Sequence, residues 1–221
     1  MQTKLAIFDL DGTLLNTLDD LANACNHALA ALGFPGHALE EYNRMVGRGI
    51  RNLFRAALPQ DRITDENLDR MTAEFIPFYN AHIADRTQPY SGIPALLNRI
   101  SAAGVEVATA SNKYQEGTEQ LMTTFFPEIR FVRILGQREG HPIKPDPEII
   151  FQCMASVPGI RKEEVVYIGD SDVDMQTGTN AGVRTIGVLW GFRPRKELEA
   201  HRPWKLVGSA EELEQAILEE Q

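Results

Sequence analysis

Two acidic residues, Asp9 and Asp11, close an apolar run, Leu5-Ala6-Ile7-Phe8, and lead directly into Gly12-Thr13-Leu14. A short apolar run with β-branched and aromatic members predicts a strand buried on both faces. Extended residues at i and i+2 project to the same side. Both carboxylates can therefore converge on one point beyond the strand end, and Gly12 lets the chain turn away at once. Carboxylates so paired suit covalent catalysis, in which one attacks as nucleophile and the other moves the proton. Asp-Gly is equally at home in an ordinary turn, so the pair takes its meaning from what accompanies it.

The elements that must position these residues alternate. From Thr17 the period becomes helical, with Leu18, Leu21, Ala22, Cys25, Leu29 and Leu32 on one stripe. Thr17 and Asp20 form a capping-box-like start and Gly33 a stop. Helices are expected near 39–45, 50–58 and 65–83, the last with a kink at Pro77, and no strand between residues 15 and 100. A helix opening at Ile93-Pro94 then precedes a strand, Val105–Ala110, that stops at Ser111-Asn112-Lys113. A helix over 115–125, a strand over 131–135 and a helix N-capped by Asp146 with Pro147 at its first position follow. Val165–Ile168 is a strand ending in Gly169-Asp170, followed by a helix over 173–181, short strands at 184–188 and 206–207, and a helix over 210–219. Alternation of this kind predicts an α/β fold, a Rossmann-like parallel sheet core with helices on both faces. The long helical stretch after the first strand predicts an inserted α-helical cap domain: residues 1–15 and 84–221 form the core and 16–83 the cap.

In open parallel sheets, ligands bind beyond the carboxyl ends of the strands. That rule gathers Asp9 and Asp11 from the first strand, Ser111 and Asn112 from the second, Lys144 from the loop after the third, and Asp170, Asp172 and Asp174 from the fourth. Acidic groups so close would repel, by about 1 kcal/mol per pair at ~4 Å even in a water-like dielectric. A hard divalent cation held by oxygens, Mg2+ in particular, relieves this, and Lys144 adds a fixed positive charge. Ser111, Asn112 and backbone N–H groups before a helix suit phosphate oxygens. In the insert, Gly47-Arg48-Gly49 offers a flexible loop with a guanidinium that can fork onto a substrate carboxylate; Arg51 is a second candidate.

Four motifs, Asp9-Leu10-Asp11-Gly12-Thr13-Leu14, Ala110-Ser111-Asn112, Lys144-Pro145 and Gly169-Asp170-Ser171-Asp172-Val173-Asp174, occur in the order seen in haloacid dehalogenase-like phosphohydrolases, which the chain resembles across its whole core. The insert resembles the α-helical cap of the subgroup containing phosphoglycolate phosphatases and β-phosphoglucomutases, and within it the sequence is most similar to the phosphoglycolate phosphatases. The second carboxylate, Asp11, is typical of phosphatases and argues against dehalogenation. The resemblance implies a phosphatase acting on a small phosphate monoester, 2-phosphoglycolate first. Asp9 would form an aspartyl-phosphate, and Asp11 would act as general acid and base. Mg2+ would be held by Asp9, the Asp11 backbone carbonyl and Asp170, with Asp174 and Ser171 in support. Ser111, Asn112, Lys144, Gly12 and Thr13 would hold the phosphoryl group, and Trp190-Gly191-Phe192 resembles a loop bordering the site entrance. A β-phosphoglucomutase-like phosphotransferase, a pyrophosphatase and a broad sugar-phosphate or nucleotide phosphatase stay open. More remote is a receiver-like signalling module, against which Asp11 and the lid both speak.

Composition narrows the partners. The chain has 221 residues, 43% hydrophobic and 24% charged, with formal net charge −9. That acidity, with no dense Lys/Arg run, argues against nucleic acid or an anionic membrane as partner. The expected partner is a small phosphorylated metabolite, and the expected state a monomer or homodimer. Cys25 and Cys153, the only cysteines, are expected as buried free thiols. The five histidines show no ligand spacing. No secretory signal or membrane-length apolar run is evident, so a cytoplasmic location is expected.

Overall fold

The structure is a computed structural model that describes residues 2–219. The chain begins with β1 (Leu5–Phe8) and β2 (Leu15–Asn16), runs through α1 (Leu18–Ala31), α2 (Leu39–Met45), α3 (Ile50–Ala57) and α4 (Asp65–His82), and returns at β3 (Gln88–Pro89). Then come α5 (Ile93–Ala102), β4 (Glu106–Tyr114), α6 (Gln115–Phe125), β5 (Phe131–Gln137) and α7 (Glu148–Met154). The last part holds β6 (Val165–Gly169), α8 (Asp172–Ala181), β7 (Arg184–Val188), α9 (Arg195–Ala200), β8 (Lys205–Val207) and α10 (Ala210–Leu218).

Six strands form one sheet in the order β5-β4-β1-β6-β7-β8, and every neighbouring pair in it is parallel. All four residues of β1 are buried, as expected of a strand covered on both faces. The period-two alternation divides them. Leu5 and Ile7 pack with Ile149, Ile150 and Cys153 of α7, while Ala6 and Phe8 pack with Ile93 and Leu96 of α5 and Leu213 and Ile217 of α10. The second cluster continues without a break into the helical insert, through Leu21 and Cys25 of α1, Phe54 of α3 and Phe75 and Tyr79 of α4. The rings of Phe54 and Phe75 meet edge to face at 5.3 Å, and Phe75 and Tyr79 stack at 5.2 Å. The expected α/β architecture, a parallel sheet flanked by helices, is thus observed, and both cysteines are buried free thiols.

Several local expectations are corrected. Strands do occur between residues 15 and 100: β2 and β3 pair antiparallel, Leu15 opposite Pro89 and Asn16 opposite Gln88. Strands of two residues carry no periodicity to read. Thr17 makes no side-chain cap for α1; its hydroxyl donates to Asp11 Oδ1 at 2.7 Å. Asp20 instead accepts the Thr87 N–H and hydroxyl, each at 2.8 Å, and the Arg86 N–H. Tertiary partners thus take both groups of the supposed capping box. Helix α4 is the single element expected there, with Pro77 inside it. Pro147, not Asp146, is the N-cap of α7, and Asp146 Oδ1 accepts the Glu148 N–H at 2.9 Å. Strand β4 does not stop at Ser111 but runs to Tyr114, with a register irregularity against β5 between Ala110 and Tyr114. Helix α9 had no sequence expectation.

Candidate active site

The central strand delivers Asp9. Its N–H donates to Ile168 O at 2.9 Å, which continues the β1–β6 ladder one residue past β1. Asp170 follows the end of β6, and Asp174 lies in the first turn of α8. Carboxylate oxygens from Asp9, Asp170 and Asp174 lie within 4.8 Å of one another, all three residues buried. Lys144, 2% exposed, brings its Nζ to 2.7 Å from Asp174 Oδ1, 2.9 Å from Asp9 Oδ1 and 2.9 Å from the Tyr167 hydroxyl. Asp174 is engaged on its other oxygen too: Oδ2 accepts the Ser171 hydroxyl at 2.6 Å and the Ser171 N–H at 3.1 Å.

Burial dominates the electrostatics. It pushes the Asp9 pKa up to about 7 against the attraction of Lys144, with Asp174 and Asp11 adding to the rise. Burial first, then Asp174 and Asp9, hold Asp170 well above the usual carboxylate range. Burial alone would favour loss of the Lys144 proton, but the Asp174 and Asp9 carboxylates outweigh it and the lysine stays above its ordinary value.

The donor set fits a hard cation on three further observations. Asp9 Oδ1 is buried, and its one close polar neighbour among the described residues is Lys144 Nζ at 2.9 Å, in a geometry poor for a hydrogen bond. Two glycines cradle Asp170: a Cβ on Gly12 would stand 2.4 Å from Asp170 Oδ2, and one on Gly191 would stand 2.2 Å from Asp170 Cβ and 2.5 Å from the Gly12 carbonyl oxygen. The carboxylate is aimed by the Phe192 N–H at 2.7 Å on Oδ2 and the Thr13 hydroxyl at 3.3 Å on Oδ1. Like-charged, desolvated oxygens held in fixed positions are what a divalent cation would neutralise. Among the described residues no histidine joins such a cluster. His27 stacks on Phe78, His37 bonds the Ala57 carbonyl, and His82 and His141 pair with Asp85 and Glu148.

Beside the carboxylates lies a small cavity, open to one side. Asp9, Asp11, Ser111, Asn112, Lys113 and Tyr114 line it from the core; Leu21, Val46, Ile50, Leu53, Phe75 and the backbone of Gly47 and Gly49 line it from the insert. The irregularity in β4 explains why Ser111, Asn112 and Lys113 all reach it, since a regular strand would alternate them between faces. The Asn112 amide is fully engaged: Oδ1 accepts the Lys144 N–H at 2.8 Å, and Nδ2 donates to Lys144 O at 3.2 Å and Gly47 O at 3.1 Å. Asn112 thereby fixes the backbone that carries Lys144. Arg48 does not line the cavity; it pairs with Asp172 at 2.5 Å. Arg51 lies among Asp65 and Asp69 of α4, at 3.2 and 2.6 Å, and is half exposed.

Three groups had no sequence assignment. Lys113 Nζ lies 3.0 and 3.3 Å from the two Asp11 oxygens, and its place directly after Ser111-Asn112 was the available signal. Phe192 enters through its backbone N–H, so the Trp190-Gly191-Phe192 loop grips Asp170. Arg193, 7% exposed, donates to the carbonyls of Asn43, Arg44 and Val46 at the end of α2, a pairing no local pattern foreshadows.

Fold and site together define an α/β enzyme built on strand-end carboxylates. The chain belongs to the haloacid dehalogenase-like hydrolases, whose family profile matches residues 6–188. It is 32% identical over 206 residues to a phosphoglycolate phosphatase of Agrobacterium fabrum, covering 89% of this chain and 86% of that one. It is 30% identical over 201 residues to an N-acetylmuramic acid 6-phosphate phosphatase of Pseudomonas aeruginosa, covering 91% and 88%. The crystal structure of a Lactobacillus delbrueckii subsp. bulgaricus protein assigned as a phosphoglycolate phosphatase superposes with TM-score 0.91 over 100% of both chains at 33% identity. The motif-based resemblance is thus borne out, and the chain is a phosphatase of the phosphoglycolate phosphatase-like subgroup. No helix among the described residues is long and apolar enough to cross a membrane.

Proposed function

We propose that the protein is a Mg2+-dependent phosphomonoesterase that hydrolyses small phosphate monoesters, 2-phosphoglycolate first, through a phosphorylated Asp9. The observation that carries this reading is the placement of Asp9: at the end of the central strand, buried, facing the cavity, and grouped with Asp170, Asp174 and Lys144. The substrate is proposed from relatives that carry the name phosphoglycolate phosphatase. Residues 16–83 act as the cap that shapes the leaving-group side.

Mg2+ would be held by Asp9, Asp170 and the backbone carbonyl of Asp11, and when bound supplies charge neutralisation for the phosphoryl oxygens. Lys144 keeps a second positive charge beside Asp9, and Asp174, Tyr167 and Ser171 hold that lysine in place. A carboxylate oxygen of Asp9 forms a bond to phosphorus as the bond from phosphorus to the ester oxygen breaks. Asp11, entering as the acid, passes its proton to the departing oxygen. A water molecule then gives a proton to Asp11 and its oxygen to phosphorus, the Asp9–phosphorus link breaks, and inorganic phosphate leaves. Ser111 faces the same cavity with a hydroxyl able to donate to a phosphoryl oxygen. The apolar roof of Leu21, Ile50, Leu53 and Phe75 keeps bulk water from the reacting groups.

The test is phosphate release from 2-phosphoglycolate with and without Mg2+, for the wild type and Asp9→Asn. Release that needs the cation and disappears in the variant supports the reading. Undiminished release by Asp9→Asn removes the nucleophile assignment.

A further inference from the structure

Resting on the phosphatase reading, we infer that the ring of Tyr114 sets the upper limit on the size of the ester. It stoppers the cavity where the insert meets the core. The site therefore takes phosphate monoesters with a short, unbranched leaving part and excludes those that place an aryl or sugar ring next to the ester oxygen.

Tyr114 is the last residue of β4. It lines the cavity while staying partly exposed, which puts it at the boundary between cavity and solvent. Three neighbours hold the ring there. Its hydroxyl donates to Asn80 Oδ1 of α4 at 2.5 Å. The Tyr79 ring, also on α4, meets it edge on, with centroids 6.4 Å apart. On the α6 side lies Gly117, where a Cβ would stand 2.6 Å from Tyr114 Cζ and 2.9 Å from its hydroxyl oxygen. Glycine within a helix is destabilising relative to alanine, and here its missing side chain is the space that the phenol ring fills. Gln120 of α6 adds a second bond across the same seam, to the Asn80 carbonyl at 3.2 Å. A ring wedged between two helices and bonded to one of them does not swing aside cheaply for a bulky ligand.

The walls that the insert contributes are harder still to move. Leu21, Val46, Leu53 and Phe75 line the cavity and belong to the buried apolar cluster, and forcing extra bulk against such packing is costly. Tyr114 stands at the edge of that packing instead. Removing its ring would open the cavity outward between α4 and α6, so the ring decides how far a leaving part can extend.

Binding of two phosphonates, in the presence of Mg2+, separates this inference from the catalytic reading. Propylphosphonate presents a short chain, and naphthylmethylphosphonate a rigid double ring at the same point. Wild-type protein should bind the first at least about tenfold more tightly, the lower end of what one surplus methylene costs in a hydrophobic pocket. Tyr114→Ala should bind naphthylmethylphosphonate at least about tenfold more tightly than the wild type does, with propylphosphonate affinity little changed. Tyr114→Phe keeps the ring, loses only the bond to Asn80, and should keep the wild-type ratio. A wild-type ratio near one, or a ratio unmoved in Tyr114→Ala, overturns the inference. So does a Tyr114→Phe protein relaxed as far as Tyr114→Ala, since the tie to the insert and not the ring would then set the limit. Propylphosphonate binding reports that each variant's site is folded, and Tyr114→Leu takes the place of Tyr114→Ala should that binding be lost. A wild type that binds neither phosphonate has no such site, and the inference falls. Should the wild type show the expected ratio yet release no phosphate from any monoester, the catalytic reading falls and the size limit stands.

Discussion

Arg193 Nη2 donates to the Val46 carbonyl across 2.8 Å, and the two residues belong to opposite sides of the cavity. Val46 ends α2 in the insert and lines the cavity; Arg193 follows β7 in the core. The residue before it, Phe192, places its N–H on Asp170. One short loop therefore grips the buried Asp170 carboxylate with one residue and the helical insert with the next. Asn112 to Gly47 O and Arg48 to Asp172 add two further ties to the same lid segment.

Replacing Arg193 by Met should loosen that segment first. Three carbonyl oxygens lose a charged donor, and hydrogen bonds to charged groups contribute about 1.5–3 kcal/mol each at most. Amide hydrogen exchange across residues 39–53 should speed up at least tenfold, with little change in β1 and β6. Equal protection in both proteins would show that the guanidinium does not hold the lid.

Cation removal should be visible in stability as well as in turnover. Asp9 and Asp170 are both raised by burial and by neighbouring carboxylates, so in the folded protein their charged forms are disfavoured until a cation offsets them. Mg2+ at 100 times its dissociation constant should add about 2.7 kcal/mol to the unfolding free energy. Thermal melts with a chelator and then with increasing Mg2+ measure this, and a midpoint indifferent to Mg2+ would contradict the cation site.

Gly191→Ala should disable the site without touching a functional side chain. The added methyl would need the space of Asp170 Cβ, 2.2 Å away, and of the Gly12 carbonyl oxygen, 2.5 Å away. Either Asp170 or the 190–193 loop must move. Phosphate release should fall at least about 100-fold, the scale of a 1 Å misplacement, and the Mg2+-dependent rise in melting temperature should shrink with it.

Acid stability has an identifiable contributor at the opposite edge of the sheet. Glu164 is held down to about 2 by Arg161 and then Lys4, whose ion pairs span 3.0 and 2.8 Å. Because the folded pKa lies below the unfolded value, the unfolded chain binds the extra proton in this interval and folding weakens as pH falls. The contribution is whole above pH 4.5, the ordinary glutamate value, and is lost toward pH 2. Glu164→Gln should therefore lower stability at pH 7 and flatten the wild type's decline between pH 4.5 and 2, as followed by denaturant melts.

The sheet was legible because its strands are short, apolar and punctuated, and the strand-end rule placed Asp9, Asp11, Ser111, Lys144, Asp170 and Asp174 at one edge. What escaped depends on contacts distant in sequence. Thr17 fits a helix cap locally, yet Asp11 offers its hydroxyl a stronger, charged partner. Lys113 reaches Asp11 only because β4 departs from regular pairing between Ala110 and Tyr114. Arg48 reads as a flexible loop cation until folding brings Asp172 beside it. Arg193 and the Phe192 N–H carry no periodic or motif signal, since a backbone donor looks the same in every residue.

The β2–β3 ribbon sets Leu15 against Pro89 and Asn16 against Gln88, so the polypeptide departs from the sheet and rejoins it through adjacent strands roughly 5 Å apart. The stretch between them is thereby clasped to the core at a single narrow waist, its way out and its way back lying side by side.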